Sequence, residues 1–469
     1  MNQKIMVVII VAVIVIAGTG VVLLTINDEN DSERTYLGGV AGCLQVYGNA
    51  NNDYVIDSED KELVQKLVSE ETSDWKENYP FADANYDGIL DSEDVDYIEE
   101  LIGASATDKV TAHVVCYAVD RTDGYVEDIL VPVTCGSFNL AITTVMAMRA
   151  VGIRDEICAI SHTSTWADLE EPTMYDVYRD LTTDEYCIGI GTSKVDPTLA
   201  ANFTKSDDPL TCYILSSGNA YDYYGVRDSM KELGISIIEI DDSAVNPLKY
   251  ATGILLLGYL FGTDNNDYAE VSHNIADWLA DFNGTMNSYM EELDSLSITK
   301  KTCVISTSSN YVSSLYSSYS KDTSYYGLTY GIDGSAGTSS SLLKYNPGNG
   351  DTWLNSYSID IPIAISGQST SDWRWYDADK DPSDAPAKII SAIKTFETMK
   401  NYDNALVITS NMPAPVRALF IMEYAYPELF EESVAYDVLE DYCHEFYGWS
   451  ENCLDGVVLV YTAADLGLL

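Results

Sequence analysis

Residues 268–296 read YAEVSHNIADWLADFNGTMNSYMEELDSL, and this stretch decides how the rest of the chain is organised. Its large apolar residues recur at steps of three, four or one, which is the spacing of one face of a helix. They are Val271, Ile275, Trp278, Leu279, Phe282, Met286, Tyr289, Met290, Leu293 and Leu296. At about 1.5 Å per residue, the pattern predicts a single helix roughly 40 Å long, about the width of a domain.

Runs of alternating strand and helix signals lie on both sides of this helix. Before it, strand-like segments occupy residues 124–133, 156–161, 187–191, 210–215 and 235–240; after it, they occupy residues 302–307, 361–366, 405–409 and 456–461. Strands that alternate with helices pair in parallel through right-handed crossovers. The sequence therefore predicts the α/β class, with two Rossmann-like α/β lobes bridged by one long helix. The alternative is a core helix inside one large α/β domain.

Acidic residues outnumber basic ones by a wide margin. The 469 residues include 74 Asp and Glu but only 25 Lys and Arg, which gives a formal net charge of −49. A surface of this charge repels nucleic acid, so DNA and RNA binding are excluded. The chain also lacks the Gly-x-Ser-x-Gly, His-Glu-x-x-His and Gly-x-x-x-x-Gly-Lys motifs of common enzyme sites. We therefore expect a binding protein and not an enzyme.

The nine cysteines show no spacing typical of a zinc site. An odd number of cysteines cannot form a complete set of disulfides within one chain, so buried free thiols are expected. A disulfide between Cys443 and Cys453 is the alternative for that pair.

An apolar stretch runs from Ile5 to Ile26, and at about 20 residues it is long enough to cross a bilayer as a helix. Lys4 precedes it and several acidic residues follow it, a charge asymmetry that places the bulk of the chain on the extracellular face. The stretch therefore predicts a transmembrane helix that anchors the chain in the cell membrane as a single-pass protein. A cleaved signal peptide is the alternative.

Residues 49–60 (NANNDYVIDSED) and 83–94 (DANYDGILDSED) repeat one pattern. Oxygen-bearing side chains fall at loop positions 1, 3, 5, 9 and 12, and position 7 offers a backbone carbonyl, which is the ligand order that wraps a calcium ion. The predicted ligands are Asn49, Asn51, Asp53, Val55, Asp57 and Asp60 in the first loop and Asp83, Asn85, Asp87, Ile89, Asp91 and Asp94 in the second. Each loop leads into a short helical pattern. Two Ca²⁺ sites in a small all-α unit are therefore predicted.

Both loops carry Asp at position 12, where EF-hands carry Glu, and no helical pattern enters the first loop. In these features the loop pair resembles a dockerin module over roughly residues 47–103. Asn49 and Tyr54 depart from the Asp and Gly that the family usually has there. The resemblance implies a cohesin-like partner, and a calcium-stiffened spacer is the alternative.

Polar and aromatic residues follow the predicted strands, where ligands collect in parallel sheets. The candidate ligand-binding residues are Ser137, Asn139, His162, Trp166, Asn219, Tyr221 and Tyr223 in the first lobe and Tyr311, Trp373, Arg374, Trp375 and Asn411 in the second. Two Trp flanking one Arg suit a flat ligand that carries a carboxylate or phosphate. A surface loop with its Trp side chains tucked into the lobe is the alternative.

Short signatures recur in a fixed order from residue 111 to residue 469. They are Val131-Pro132-Val133, Ala150-Val151-Gly152 before Ile157, the long helix, Phe430 and the segment 442–447. In this order the chain resembles the solute-binding proteins of ABC importers for iron-siderophores, haem and cobalamin. The resemblance implies a shallow cleft, a small closure motion, a small metal-chelate ligand, and an ABC permease and ATPase as partners.

Members of that family dock on the permease through an acidic residue on each lobe. In the first lobe this residue usually follows a Gly-x-x-x-x-x-Pro segment, here Gly191 to Pro197, but residues 198–201 contain no acid. Glu428 is the candidate in the second lobe.

The sequence thus predicts six segments: a cytoplasmic tip with the membrane anchor or signal (1–27), a linker (28–46), the dockerin-like calcium module (47–104), an N-lobe (111–265), a bridging helix (266–297) and a C-lobe (298–469). The function expected is an extracytoplasmic, membrane-anchored solute-binding protein. The alternative is a cell-surface interaction protein that attaches through its dockerin-like module to a cohesin or glycan partner.

Overall fold

The structure is a computed structural model that describes residues 41–469, except for residues 118–123, 140, 162–175, 182, 190–194, 217–223, 264, 297, 307–310, 314–322, 333–341, 346, 367–386, 431–433 and 456. The described residues all belong to one compact unit. The six predicted segments stay a prediction.

The described helices and strands are numbered in chain order. The α-helices are α1 (Ser58–Ser69), α2 (Trp75–Asn78), α3 (Ser92–Ile102), α4 (Ile142–Val151), α5 (Pro197–Ala200), α6 (Tyr224–Glu232), α7 (Pro247–Phe261), α8 (Tyr268–Ser295), α9 (Ala387–Lys394), α10 (Ala414–Ala425) and α11 (Val434–Tyr447). The strands are β1 (Val110–Cys116), β2 (Tyr125–Val131), β3 (Gly136–Asn139), β4 (Ile157–Ser161), β5 (Cys212–Ser216), β6 (Ser236–Ile240), β7 (Thr302–Ser306), β8 (Tyr311–Ser313), β9 (Thr329–Tyr330), β10 (Leu342–Lys344), β11 (Ile361–Ser366), β12 (Leu406–Thr409) and β13 (Val460–Thr462).

The long helix lies where the apolar stripe predicts it. Helix α8 spans 28 residues and buries stripe positions such as Ile275, Leu279 and Phe282. It packs against α7, an apolar helix most of whose residues are buried. Gly258 of α7 permits this approach, because a Cβ there would lie 2.0 Å from Ser272 Oγ. The α7–α8 pair therefore connects the two halves of the α/β region through tight helix packing.

Each half contains its own sheet. The N-lobe sheet has the order β4-β3-β5-β6 and is parallel throughout; Phe138 of β3 pairs with Ile160 on one side and Ile214 on the other. The C-lobe sheet has the order β13-β12-β11-β7-β9 and is parallel except for β13, which runs antiparallel to β12. The prediction of α/β architecture with parallel sheets is confirmed.

One predicted strand of the parallel sheets lies elsewhere, since β2 pairs with β1 in an antiparallel hairpin outside the N-lobe sheet. The predicted strand at 187–191 is reduced to single bridges: Cys187 pairs in parallel with Ile160 of β4, and Gly189 pairs with Val195. A short hairpin, β8 with β10, accompanies the C-lobe.

The two loop–helix units are part of the same body as the N-lobe. Helices α1 and α3 follow the two loops as predicted, but residues 45–47 run antiparallel to β1 as an additional strand-like edge. Tyr47 N donates to His113 O at 3.0 Å, and Val115 N donates to Gln45 O at 3.0 Å. Val64 and Ile98 join the same buried core as the lobes. The prediction of a small all-α unit therefore needs correction, because this region shares both a strand edge and a core with the lobe.

Of the described helices, none is both long enough and apolar enough to cross a membrane. Helix α8 has the length but carries acidic residues along its exposed face, and α7 is apolar but has only 15 residues. We therefore correct the predicted localisation, a cell-membrane protein held by a single-pass helix. Residues 5–26, on which that prediction was based, lie outside the described residues.

Cys135 and Cys158 form a disulfide with their Cα atoms 5.5 Å apart. It ties the turn before β3 to β4, so the expectation of free thiols is wrong for this pair. The other seven cysteines form no disulfide. Cys443 and Cys453 are both thiols, although they lie within hydrogen-bonding distance of each other.

Candidate functional site

Most of the predicted ligand-binding residues lie outside the described residues. These are His162, Trp166, Asn219, Tyr221, Tyr223, Trp373, Arg374 and Trp375, and only the backbone of Tyr311 is described, at the start of β8. Ser137, Asn139 and Asn411 are described, and all three are buried. The predicted binding residues that are described therefore lie at or just after the ends of strands β3 and β12, apart from Ser137, which lies within β3.

A buried polar cluster occupies the carboxyl edge of the N-lobe sheet. Asn139 ends β3, Ser216 ends β5, and Asp242 follows β6. Thr144, in the first turn of α4, places its hydroxyl 2.9 Å from Asn139 Oδ1 and 2.9 Å from Asp242 Oδ2. Ser216 donates to the other Asp242 oxygen at 2.5 Å. Strand β3 has its successor β4 on one side and β5 on the other, so this is the switch point where parallel sheets bind ligands.

Burial raises the pKa of Asp242 to about 7, because few water molecules remain to solvate its charge. The hydroxyls of Ser216 and Thr144 oppose that rise by donating to the carboxylate. Nearby, Ser137 Oγ and Asn139 Nδ2 are buried without a hydrogen-bond partner among the described residues. These two groups are available to a ligand.

The C-lobe contributes a second polar group at the end of β12. Asn411 N donates to Thr409 Oγ1 at 3.0 Å, while Asn411 Oδ1 is buried and has no hydrogen-bond partner in the part of the chain that the structure describes. Helix α10 begins three residues later, and its first turn carries Arg417, which is 2% exposed. No described carboxylate lies within ion-pair distance of Arg417, and its Nε has no hydrogen-bond partner.

Arg417 is the functional candidate that sequence reasoning missed. The sequence signal was present, since Arg417 is the only basic residue in the otherwise largely apolar helix APVRALFIMEYA. A guanidinium stays charged in proteins, so burying it without an anion is unfavourable unless a ligand or partner compensates.

Tyr250, in the first turn of α7, lies between the two polar groups. It interacts electrostatically with Asp242 of the N-lobe and with Arg417 of the C-lobe, and its burial raises its pKa. Its hydroxyl faces that of Tyr442 on α11, but neither hydroxyl makes a hydrogen bond of normal geometry. A polar group of each lobe, Asp242 and Arg417, therefore lies within electrostatic range of one residue at the start of α7.

The lobes also contact each other directly. The Arg149 guanidinium of α4 lies 5.4 Å from the ring centre of Trp449 and 5.8 Å from that of Tyr447 in the C-lobe. The ring centre of Trp278 on α8 lies 5.1 Å from that of Tyr442. The lobes are thus held together by these aromatic contacts as well as by the bridging helix.

The two acidic loops are built alike around their position 12. Asp60 accepts from Asn51 N at 3.0 Å and from Asp57 N at 2.9 Å, and Asp94 accepts from Asp91 N at 2.8 Å. Both carboxylates are fully buried, which raises the pKa of Asp60 to about 7 and that of Asp94 to about 6. Each also closes a capping box at the start of α1 or α3. A bound cation would favour the charged form of both.

The donor set of the first loop fits calcium. Asn49 is fully buried, and its Nδ2 donates to Leu44 O at 2.6 Å and to Asp53 O at 2.9 Å. This leaves Asn49 Oδ1, the predicted ligand at position 1, without a partner. Within the described ranges, no three His, Cys, Asp or Glu side chains converge as a metal site. Calcium in these loops would therefore depend on amide and backbone oxygens as well as carboxylates.

In the second loop, Asp83 holds position 1. It accepts from Asp87 N at 3.1 Å and from Gly88 N at 2.9 Å. The Asp83 carboxylate thus accepts hydrogen bonds from its own loop, whereas the amide oxygen of Asn49 accepts none from the described residues.

No known family's sequence profile matches the chain, and none of the curated proteins matches it. Solved structures resemble it in fold. They include a nickel–histidine complex of CeuE from Helicobacter pylori (16% identity, covering 73% of this chain and 98% of that one, TM-score 0.47). The TroA-like periplasmic binding protein FepB from Veillonella parvula is 12% identical, with coverage of 74% and 99% and a TM-score of 0.49. The molybdate periplasmic binding protein MolA from Haemophilus influenzae is 9% identical, with coverage of 72% and 98% and a TM-score of 0.47.

Proposed function

We propose that this chain is a solute-binding protein that holds a metal chelate between its two lobes and delivers it to an ABC permease and ATPase. The observation that carries the proposal is that Asn139 of the N-lobe and Asn411 and Arg417 of the C-lobe are buried and have side-chain atoms without a hydrogen-bond partner in the described part of the chain. Leaving such groups unpartnered costs about 1–3 kcal/mol each, and more for a charge. A ligand that binds all three offsets that cost, which is the signature of a binding site and requires no catalytic step.

The chemistry of the site favours a ligand with an anionic edge. Arg417 presents the charge, and the amides of Asn139 and Asn411 offer one donor and one acceptor. Iron-siderophores, haem and corrinoids all carry oxygen-rich polar groups beside an apolar or aromatic body. The predicted Trp373, Arg374 and Trp375 would stack on that body and are part of the proposal, although they lie outside the described residues.

The disulfide supports a site of action outside the cytoplasm. Disulfides such as Cys135–Cys158 persist in oxidising compartments and are rare in the cytosol. We therefore propose an extracytoplasmic binding protein.

We further propose that the two acidic loops bind Ca²⁺. The unpartnered Asn49 Oδ1 and the buried carboxylates of Asp60 and Asp94 support this. The interpretation of the loops as a separate, dockerin-like unit that binds cohesin has no support, because the apolar residues of α1 and α3 are buried in the core of the lobe.

The test is calorimetric titration of the full chain, in calcium, with ferric catecholates, ferric hydroxamates, haemin and cobalamin. We expect one class to bind, and Trp375→Ala and Arg417→Gln to weaken it. Arg154→Gln is the matched control, since Arg154 lies at the surface with Asp180. Failure of every chelate to bind the unaltered protein would overturn the proposal.

A further inference from the structure

Tyr54 connects the first acidic loop to the bridging helix. It fills the loop position that Gly88 fills in the second loop. Two residues earlier the loops agree, since Asn52 and Tyr86 have φ values of 59° and 58°. At the next-but-one residue they differ, because Gly88 has a φ of +89° whereas Tyr54 is not in the left-handed region. The two loops therefore begin alike and diverge at Tyr54.

Tyr54 contacts helix α8. His273 Nε2 donates to Tyr54 O at 3.1 Å, and the two ring centres are 5.8 Å apart. The Tyr54 phenol interacts electrostatically with Asp277, one turn further along the same helix, and with Asp281. Backbone and side chain of one loop residue thus both engage α8.

The segment just before the loop is fixed on α7. Gly42 N donates to Thr252 Oγ1 at 2.8 Å, and Leu44 N donates back to Asp53 O at 2.9 Å within the loop. The loop therefore rests on both helices that connect the lobes.

Acidic side chains lie on both sides of this contact. The first loop contains Asp53, Asp57 and Asp60, and the helix that Tyr54 contacts carries Asp277 and Asp281. Like charges repel, and a divalent cation inside the loop would reduce that repulsion.

We propose that the first loop is a calcium-dependent brace on the bridging helix: Ca²⁺ bound by the Asn49–Asp60 loop holds Tyr54 against His273 and Asp277 and so stabilises α8. The proposal rests on the calcium site proposed above but not on any solute. By linkage, an ion that binds only the docked loop stabilises the docked helix by the same free energy.

The brace is tested by hydrogen exchange of the full chain, measured by mass spectrometry over residues 268–281 with 1 mM calcium or with chelator. Calorimetry measures the number of calcium ions bound. In the unaltered chain we expect calcium to slow exchange there by about tenfold. Tyr54→Gly copies the residue of the second loop, so it should bind the same number of ions yet lose the slowing. Tyr54→Phe keeps the ring and loses the hydroxyl that interacts with Asp277, so it should keep part of the slowing.

The matched control is the double variant Asp87→Asn, Asp94→Asn, which should lose one ion and keep the slowing. Full calcium-dependent slowing in Tyr54→Gly would overturn the brace. So would slowing that disappears only in the second-loop variant, or a chain that binds no calcium at all. None of these measurements involves the metal-chelate ligand. Their outcome is therefore independent of whether the chain binds and delivers such a ligand.

Discussion

Arg417 is a buried charge with no carboxylate of the described residues within ion-pair distance, and we propose that it binds the ligand. Replacing it by Met removes the cost of burying that charge, so Arg417→Met should raise the free energy of unfolding of the ligand-free chain by about 1–3 kcal/mol. The same change should weaken chelate binding by at least about tenfold, because the ligand loses its charged partner. Urea unfolding and calorimetry measure the two effects.

Arg154→Met is the control, since an exposed ion pair contributes little and should change stability by less than about 0.5 kcal/mol. A variant of Arg417 that is less stable and binds its chelate normally would show that the residue is structural.

Asp242 should make stability depend on pH. Its pKa is raised from an ordinary value of 3.8 to about 7 in the folded chain, so between these values the folded state holds more protons than the unfolded state. Stability should therefore fall as pH rises from about 4 to about 7, by at most about 4 kcal/mol.

The pH dependence is measured by chemical unfolding at several pH values. Asp242→Asn keeps an acceptor for Ser216 and should make the fall in stability across this range shallower, while the raised pKa values of Asp60 and Asp94 contribute the remaining fall in calcium-free buffer. An unchanged pH profile in that variant would place the dependence on other groups.

Single residues were predictable where a rule of position applies. Asn139 and Asn411 follow strands, and the structure places both at strand ends with unpartnered amide atoms. Arg417 was not predicted as a site residue because it lies inside a helix, where one Arg among apolar residues does not indicate that its side chain is buried. The interaction of Tyr250 with both Asp242 and Arg417 depends on how three elements pack, which no spacing in the sequence records.

At the scale of elements, the α7–α8 contact offers a matched pair of glycines. Gly258 faces Ser272, and an added Cβ would lie 2.0 Å from Ser272 Oγ and 2.9 Å from Tyr268 O. Gly258→Ala should therefore force the helices apart and destabilise the chain by about 1–3 kcal/mol.

Gly284, in the middle of α8, has open space where a Cβ would lie, with no described atom of a neighbouring element within 4 Å. Gly284→Ala should stabilise the chain by up to about 1 kcal/mol through helix propensity alone. Thermal unfolding of both variants measures the difference. Equal effects of the two changes would mean that the helix contact tolerates a wider spacing.

Elements with a strong period were predicted well. The apolar stripe predicts both ends of helix α8 to within a residue or two of those observed, because ten apolar positions share one face. Strands were predicted as segments but not always as neighbours. Strand β13 is antiparallel, β2 leaves the N-lobe sheet for a hairpin, and residues 45–47 add an edge to β1. Pairing partners depend on contacts distant in sequence, so a local pattern does not determine them.

At the scale of the whole molecule, the contacts between the lobes limit how far they can move. Arg149 lies over the rings of Tyr447 and Trp449, and Trp278 packs against Tyr442. Binding of a chelate should therefore change the radius of gyration by less than about 1 Å, as measured by small-angle X-ray scattering. Arg149→Ala removes one contact and should enlarge the change. A large compaction of the unaltered chain on binding would show that these contacts open.

The shared core of the acidic loops and the N-lobe sets a limit for protein engineers. A module that stands on its own can be cut out and grafted onto another protein. Here Val64 and Ile98 lie in the same buried core as the lobes, and Val46 pairs with Val114. A cut near residue 105 would leave two incomplete halves, each with a newly exposed apolar surface. Any recombinant shortening of this protein should therefore keep residues 43–116 together with α7 and α8.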